Sequence, residues 1–200
     1  PFTAGRPLLK VSLKGREVAN RDRLPAHLVF LVDTSCSMSG EDRLGLAKRS
    51  LHLLVESLNQ RDTVALVTYS GGVRDVLPPT PASERRAILE AIDSLSTGGG
   101  TAMGSGLELA YRHAVRTVSR DSVSRVLVLT DGDANIGRTS ADDMLGSVRG
   151  FVKEGVTLTT VGFGMGNYRD ALMEKLADAG NGQSVYIDSF AEARRVFQEQ

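Results

Sequence analysis

The sequence predicts a doubly wound α/β domain, and three observations carry that expectation. Apolar runs too continuous for half-exposed strands alternate with segments of helical period, and the runs end in loops rich in Asp, Ser, Thr and Gly. Strands buried on both faces read as unbroken Val, Ile and Leu, the pattern of a mostly parallel sheet covered by helices on either side. Finally, 200 residues with 41% hydrophobic content suffice for one core, so one globular unit is expected.

Residues 8–13, LLKVSL, alternate apolar and polar and predict a half-buried strand, followed by the charged connector GREVANRDR. Residues 1–24 therefore precede a main domain over 25–200. LVFLV (28–32) is its first buried strand. A helix over about 42–59 carries Leu44, Ala47, Leu51, Leu54, Val55 and Leu58 on one stripe, with Asp42 in its first turn where a negative charge suits the dipole. TVALVTY (63–69) is the second buried strand, and VRDVL (73–77) stops at Pro78 and Pro79, as a short edge strand does. A helix over about 83–95, the loop STGGGT and a helix over about 102–119 come next. The strand RVLVLT (125–130), a helix over about 140–154 and the strand VTLTTVGF (156–163) follow. The chain closes with a helix over about 169–179, SVYID (184–188) and a last helix bearing Phe190, Val196 and Phe197, capped by Ser189.

Strand–helix alternation implies right-handed crossovers, and sheets of this kind take ligands beyond the carboxyl ends of their strands, where strand order reverses. The loops after Val32, Tyr69, Thr130, Phe163 and Asp188 are thus the functional candidates. Lys plus Arg and Asp plus Glu balance at 24 each, so net charge draws the chain neither to nucleic acid nor to an anionic membrane. Arg85-Arg86 and Arg194-Arg195 read as solvated helix faces. The single cysteine, Cys36, excludes an internal disulfide. No apolar run approaches the roughly 20 residues that span a bilayer, so no membrane insertion is expected of this segment. The start at Pro1 is read as that of a piece of a longer protein.

Two of the candidate loops open with an aspartate: LVFLV runs into Asp33, and RVLVLT runs into Asp131. Ser35 and Ser37 follow the first, and the glycine-rich TGGGTAMGSG presents Thr101 just before a helix. Two carboxylates and three hydroxyls, if they converge, make an all-oxygen shell of low charge. Such a shell suits Mg2+ or Mn2+, with Ca2+ a third candidate, and an octahedral ion with bonds of about 2.1 Å keeps positions for water or a partner. Neutral hydroxyls leave the cation under-neutralised, so an outside carboxylate is attracted to complete its shell.

At these residues the sequence resembles the von Willebrand factor type A (VWA) domain, whose metal-ion-dependent adhesion site (MIDAS) reads D-x-S-x-S, then a distant Thr and a distant Asp. The matching residues are Asp33, Ser35 and Ser37 in DTSCS, Thr101 in GGGTAMGSGLELAY, and Asp131 in LTDGDANIG. The resemblance runs from about Leu28 to Phe197. It implies a Rossmann-like six-stranded sheet in the order 3-2-1-4-5-6 with one antiparallel edge strand. It also implies a protein-binding module, not an enzyme, whose partner offers an Asp or Glu, and a last helix that shifts when ligand engages. Phrases such as TDGDANIG and GVTLTTVGFGMGNY look like those of bacterial, cell-envelope-associated members. Cys36 departs from the Gly common there, a Gly that serves positive φ or close backbone approach.

Other readings of the same residues are weaker. Asp131, Asp133 and Asn135 fall at positions 1, 3 and 5 of a calcium loop, but Ile136 stands where Gly is needed and a strand precedes. Asp133 and Gly100, with Cys36, are assigned to the rim. The glycine-rich loop lacks the Lys of a phosphate loop. Cys36 as a nucleophile lacks a supporting signature from His27, His52 or His113, and Met103, Met144, Met165 and Met173 read as packing residues. Two functional alternatives remain: a metal-assisted hydrolase, for which Asp133 is the one nominee as base, and an assembly subunit working beside an ATPase.

Overall fold

The computed structural model describes residues 22–132, 141–164 and 171–198. In it the apolar runs form strands β1 (Ala26–Asp33), β2 (Thr63–Tyr69), β3 (Val73–Pro81), β4 (Val123–Thr130), β5 (Val156–Phe163) and β6 (Ser184–Ile187). They join one sheet in the order β3-β2-β1-β4-β5-β6, parallel except for β3, as expected. The helices are α1 (Leu44–Ser57), α2 (Arg85–Asp93), α3 (Met103–Val115), α4 (Ala141–Lys153), α5 (Ala171–Ala179) and α6 (Phe190–Gln198).

The central strand shows why the runs are unbroken. Leu28, Phe30 and Val32 point into the core shared with α1, α2 and α6, whereas Val29 and Leu31 point into the one shared with α3, α4 and α5. Both faces are dry, so both sets must be apolar. Each such side chain fully removed from water contributes on the order of 1.5–3 kcal/mol. The register His27↔Thr63 through Asp33↔Tyr69, and Val32↔Leu129 on the other side, brings the ends of β1, β2 and β4 to one level. Strand order reverses there, because β1 lies between β2 and β4.

Several boundaries differ from expectation. The helix α1 begins at Leu44 with Arg43 at its N-cap, so Asp42 lies in the preceding turn and not in the first helical turn. Its buried stripe is also wider, taking in Leu46 and Leu53, while Leu54 is only partly buried. Strand β3 runs through Pro78 and Pro79 to Pro81, with register shifts against β2 near Leu66. A proline withholds one N–H, which matters little where that N–H would face the open edge. The predicted helix over about 83–95 is a 3-10 turn, Ala82–Glu84, followed by the shorter α2. The helix α3 stops at Val115, where the Thr117 hydroxyl and amide both donate to the Ala114 carbonyl at 2.8 and 3.1 Å. Ser189 does cap the last helix, its hydroxyl accepting the Glu192 N–H at 3.3 Å. The predicted strand over residues 8–13 lies outside the described residues, and among the described residues no helix is long and apolar enough to cross a membrane.

Candidate metal centre

The site grows from the end of β1. Asp33 is wholly buried there, and both its oxygens are engaged: Oδ1 accepts the Ser35 N–H at 2.8 Å and Oδ2 accepts the Thr130 hydroxyl at 3.1 Å. The chain turns through Ser35 into a 3-10 turn, Cys36–Met38, which faces both serines the same way. The Ser35 and Ser37 hydroxyls are 2.9 Å apart, and the Ser37 hydroxyl donates to Asp131 Oδ1 at 3.2 Å. Asp33, Ser35, Ser37 and Asp131 therefore form one hydrogen-bonded chain across the β1–β4 boundary, with the Ser35 amide as its link to Asp33.

Thr101 arrives by a different route. The Gly98 N–H donates to the Thr34 carbonyl at 2.8 Å, and the Cys36 N–H donates to the Gly99 carbonyl at 3.4 Å, which fastens the glycine-rich loop to the serine loop. Gly99 has φ +82°, and a Cβ on it would come within 2.9 Å of the Gly71 backbone nitrogen in the turn after β2. Only glycine fits. Thr101 follows two residues later, half-buried at the foot of α3; among the described residues its hydroxyl makes no hydrogen bond to the other four.

The electrostatics follow from this packing. Burial pushes the Asp33 carboxyl above its ordinary value and the nearby charge of Asp131 adds to that, against the hydrogen bonds from Ser35 and Thr130. The donor set is oxygen only, with two carboxylates, which fits a hard divalent ion and not a thiolate or imidazole site. Among the described residues no three His, Cys, Asp or Glu side chains gather in one place, so hydroxyls must supply much of any shell.

Two residues at the site went unforeseen. Thr130 reads in sequence as the last residue of a strand, yet its hydroxyl both pins Asp33 and accepts the Gly132 N–H at 3.2 Å. Arg43 donates through Nη1 to the Ser37 carbonyl and lies 3.6 Å from Asp131 Oδ2. No local pattern announces Arg43, whereas a hydroxyl beside Asp131 at a strand end was a usable signal for Thr130.

Of the rim candidates, Cys36 is exposed and lies outside the positive-φ region, which among described non-glycine residues holds only Asn181. The loop thus accommodates Cys without the backbone freedom of Gly. Gly100 is exposed beside Gly71, and Asp133 lies outside the described residues. The histidines belong elsewhere: His27 meets the Thr63 hydroxyl at 2.8 Å, while His52 and His113 pair with Asp93 and Asp75 at 2.9 Å.

Comparison with known proteins agrees with this architecture. The protein YfbK of Escherichia coli (strain K12) is 41% identical over 196 residues, covering 98% of this chain and 34% of its own length, so the chain spans about a third of that relative. The solved von Willebrand factor type A protein from Catenulispora acidiphila superposes with a TM-score of 0.73 at 26% identity, over 89% of this chain and 42% of that one. Proximal thread matrix protein 1 from the mussel byssus, solved with a zinc-occupied MIDAS motif, gives 0.69 at 22% identity over 88% and 45%, a likeness of fold. The family model for the von Willebrand factor type A domain matches residues 27–199, and the chain belongs to that family.

Proposed function

We propose that the chain is a divalent-metal-dependent protein-binding module of the bacterial cell envelope. Asp33, Ser35, Ser37, Thr101 and Asp131 hold Mg2+ or Mn2+, and an Asp or Glu of a protein partner completes the ion's coordination. The observation that supports this most is the hydrogen-bonded chain from the Asp33 carboxylate through the Ser35 amide and the Ser35 and Ser37 hydroxyls to Asp131 at the point where strand order reverses.

The bound ion supplies an electrophilic position for a carboxylate. The chain's part is preorganisation: the Ser35 amide and Thr130 hydroxyl lock the Asp33 carboxylate, and the anchored Gly98–Gly99 segment sets where Thr101 stands. The test is retention of a partner from the envelope fraction of source cells on immobilised chain. Retention in Mg2+ that disappears in chelator and with Asp131→Ala is expected; the same partner recovered regardless of metal removes the reading, and recovery from the cytosolic fraction alone removes the location.

The glycine loop allows a gentler check. Gly99→Ala keeps both cores intact but displaces the loop from Gly71, so the far-ultraviolet spectrum stays that of wild type while Mn2+ affinity falls at least about fivefold, roughly 1 kcal/mol of lost preorganisation. An unchanged affinity separates Thr101 from the site.

A further inference from the structure

We propose that Arg43 is a tethered cation that competes with the divalent ion at the Asp131 side of the site and so sets the ion affinity, an inference that rests on the metal-binding reading above.

Three contacts hold the guanidinium in place. Its Nη1 donates to the Ser37 carbonyl, the same nitrogen lies 3.6 Å from Asp131 Oδ2, and its stem runs along Gly164, where a Cβ would lie 3.5 Å from Nε. Arg43 is also the N-cap residue of α1, so its backbone is fixed where the serine loop enters the helix. The positive charge therefore comes from the loop that carries Ser35 and Ser37 and is applied to the carboxylate that directly follows β4. Asp131 Oδ1 meanwhile accepts the Ser37 hydroxyl, so the hydroxyl and the guanidinium act on different oxygens of one carboxylate.

As a stabilising ion pair this contact counts for little, since the Arg43 side chain is 38% exposed and solvent screens it. Its effect on a second cation is another matter. The local charge of Asp33 and Asp131 together is reduced by one, and any ion reaching Asp131 meets a like charge a few ångströms away. Removing a unit charge at that range from a divalent ion changes affinity by about tenfold, taking a dielectric near that of water. The same geometry offers a reason for two carboxylates beside a guanidinium in a site that must release its ion or partner: occupancy is kept dependent on ion concentration.

Calorimetric titration with Mn2+ of wild type, Arg43→Gln, Arg43→Lys and Asp33→Ala tests this. The Gln variant should bind about tenfold more tightly than wild type, the Lys variant within about threefold of it, and Asp33→Ala not at all. Unchanged or weaker binding by Arg43→Gln, with Asp33→Ala still silent, overturns the role of Arg43 and leaves the metal site standing. Titration in Asp33→Ala equal to wild type, or in neither wild type nor Arg43→Gln, overturns both. If the Gln variant is less stable, the rise in thermal midpoint on adding Mn2+ gives an independent reading: it should exceed that of wild type, and an equal or smaller rise counts against the proposal.

Discussion

Asp33→Ala is expected to abolish Mg2+ and Mn2+ binding, by at least about a hundredfold, while the metal-free chain remains folded. Asp33 is the buried carboxylate of the site and the one to which the serine loop is tied. Its stability effect should have an unusual sign. Burial, with Asp131's charge adding, holds its carboxyl above the ordinary value, so the folded chain binds that proton more tightly than the unfolded chain does. Stability contributed by this group is therefore present at low pH and declines as pH rises from the ordinary carboxylate value of about 3.9 through the raised one. Above the raised value the metal-free protein carries an unfavourable charge that the ion would relieve. Asp33→Asn keeps an oxygen for the Ser35 N–H and removes that charge. In chelator at pH 7 it should be as stable as wild type to within about 1 kcal/mol, or more stable, by urea denaturation. Added Mn2+ should raise the wild-type midpoint and leave the Asn variant unmoved. An Asn variant that both unfolds more easily in chelator and still responds to Mn2+ would refute the assignment.

What could be read from the residues follows the physics of burial. The stretches Leu28–Val32 of β1 and Val126–Leu129 of β4 lie between two helical layers, so dryness on both faces left no polar residue inside them to blur the run, whereas β5 admits Thr157, Thr159 and Thr160. The strand β3 misled because an edge strand tolerates Pro78 and Pro79, and the punctuation that ends a central strand does not end an outer one. Asp33 and Asp131 were legible since one ends a strand and the other directly follows one, and the alternation of Ser35 and Ser37 placed both hydroxyls on one side of the turn. The contact between Ser37 and Asp131 joins residues 94 apart, and only the strand order makes it foreseeable. Arg43 had no such guide. Its charge meets Asp131 only because the loop after β1 folds over the end of β4. The same holds for Asp62, whose partner Arg23 comes from the preceding connector, 39 residues away.

Asp62→Ala is expected to cost about 2–4 kcal/mol of folding stability, mainly the penalty for leaving the Ala26 and Asn59 amides without an acceptor, since the Arg23 side chain is 29% exposed. The carboxylate has no exposed surface, and four donors converge on it. Both terminal nitrogens of Arg23 reach it, Nη1 at 2.8 Å to Oδ1 and Nη2 to Oδ2, while the amides of Ala26 and Asn59 donate at 2.8 and 2.7 Å. One side chain thus fastens the entry to β1 onto the α1–β2 connection. Burial alone would raise its carboxyl, but the Arg23 hydrogen bonds and the two amides outweigh that and hold it below the ordinary value. The sign is then opposite to that of Asp33. The unfolded chain binds this proton more tightly, so the contribution is complete above about pH 4 and fades as pH falls through the lowered folded value. Urea denaturation should show wild type well above Asp62→Asn at pH 7, with the gap closing toward pH 3; a gap that stays constant over that range would remove the linkage. Since Asp62 adjoins Thr63, paired with His27 at the start of β1, it stands at the opposite end of the sheet from Asp33. Loss of Asp62 should lower stability and leave Mn2+ affinity of the folded chain unchanged, whereas Asp33→Asn should remove metal binding and leave the metal-free fold intact. If both variants changed both properties together, the two ends of β1 would be coupled and the separation of scaffold from site would fail.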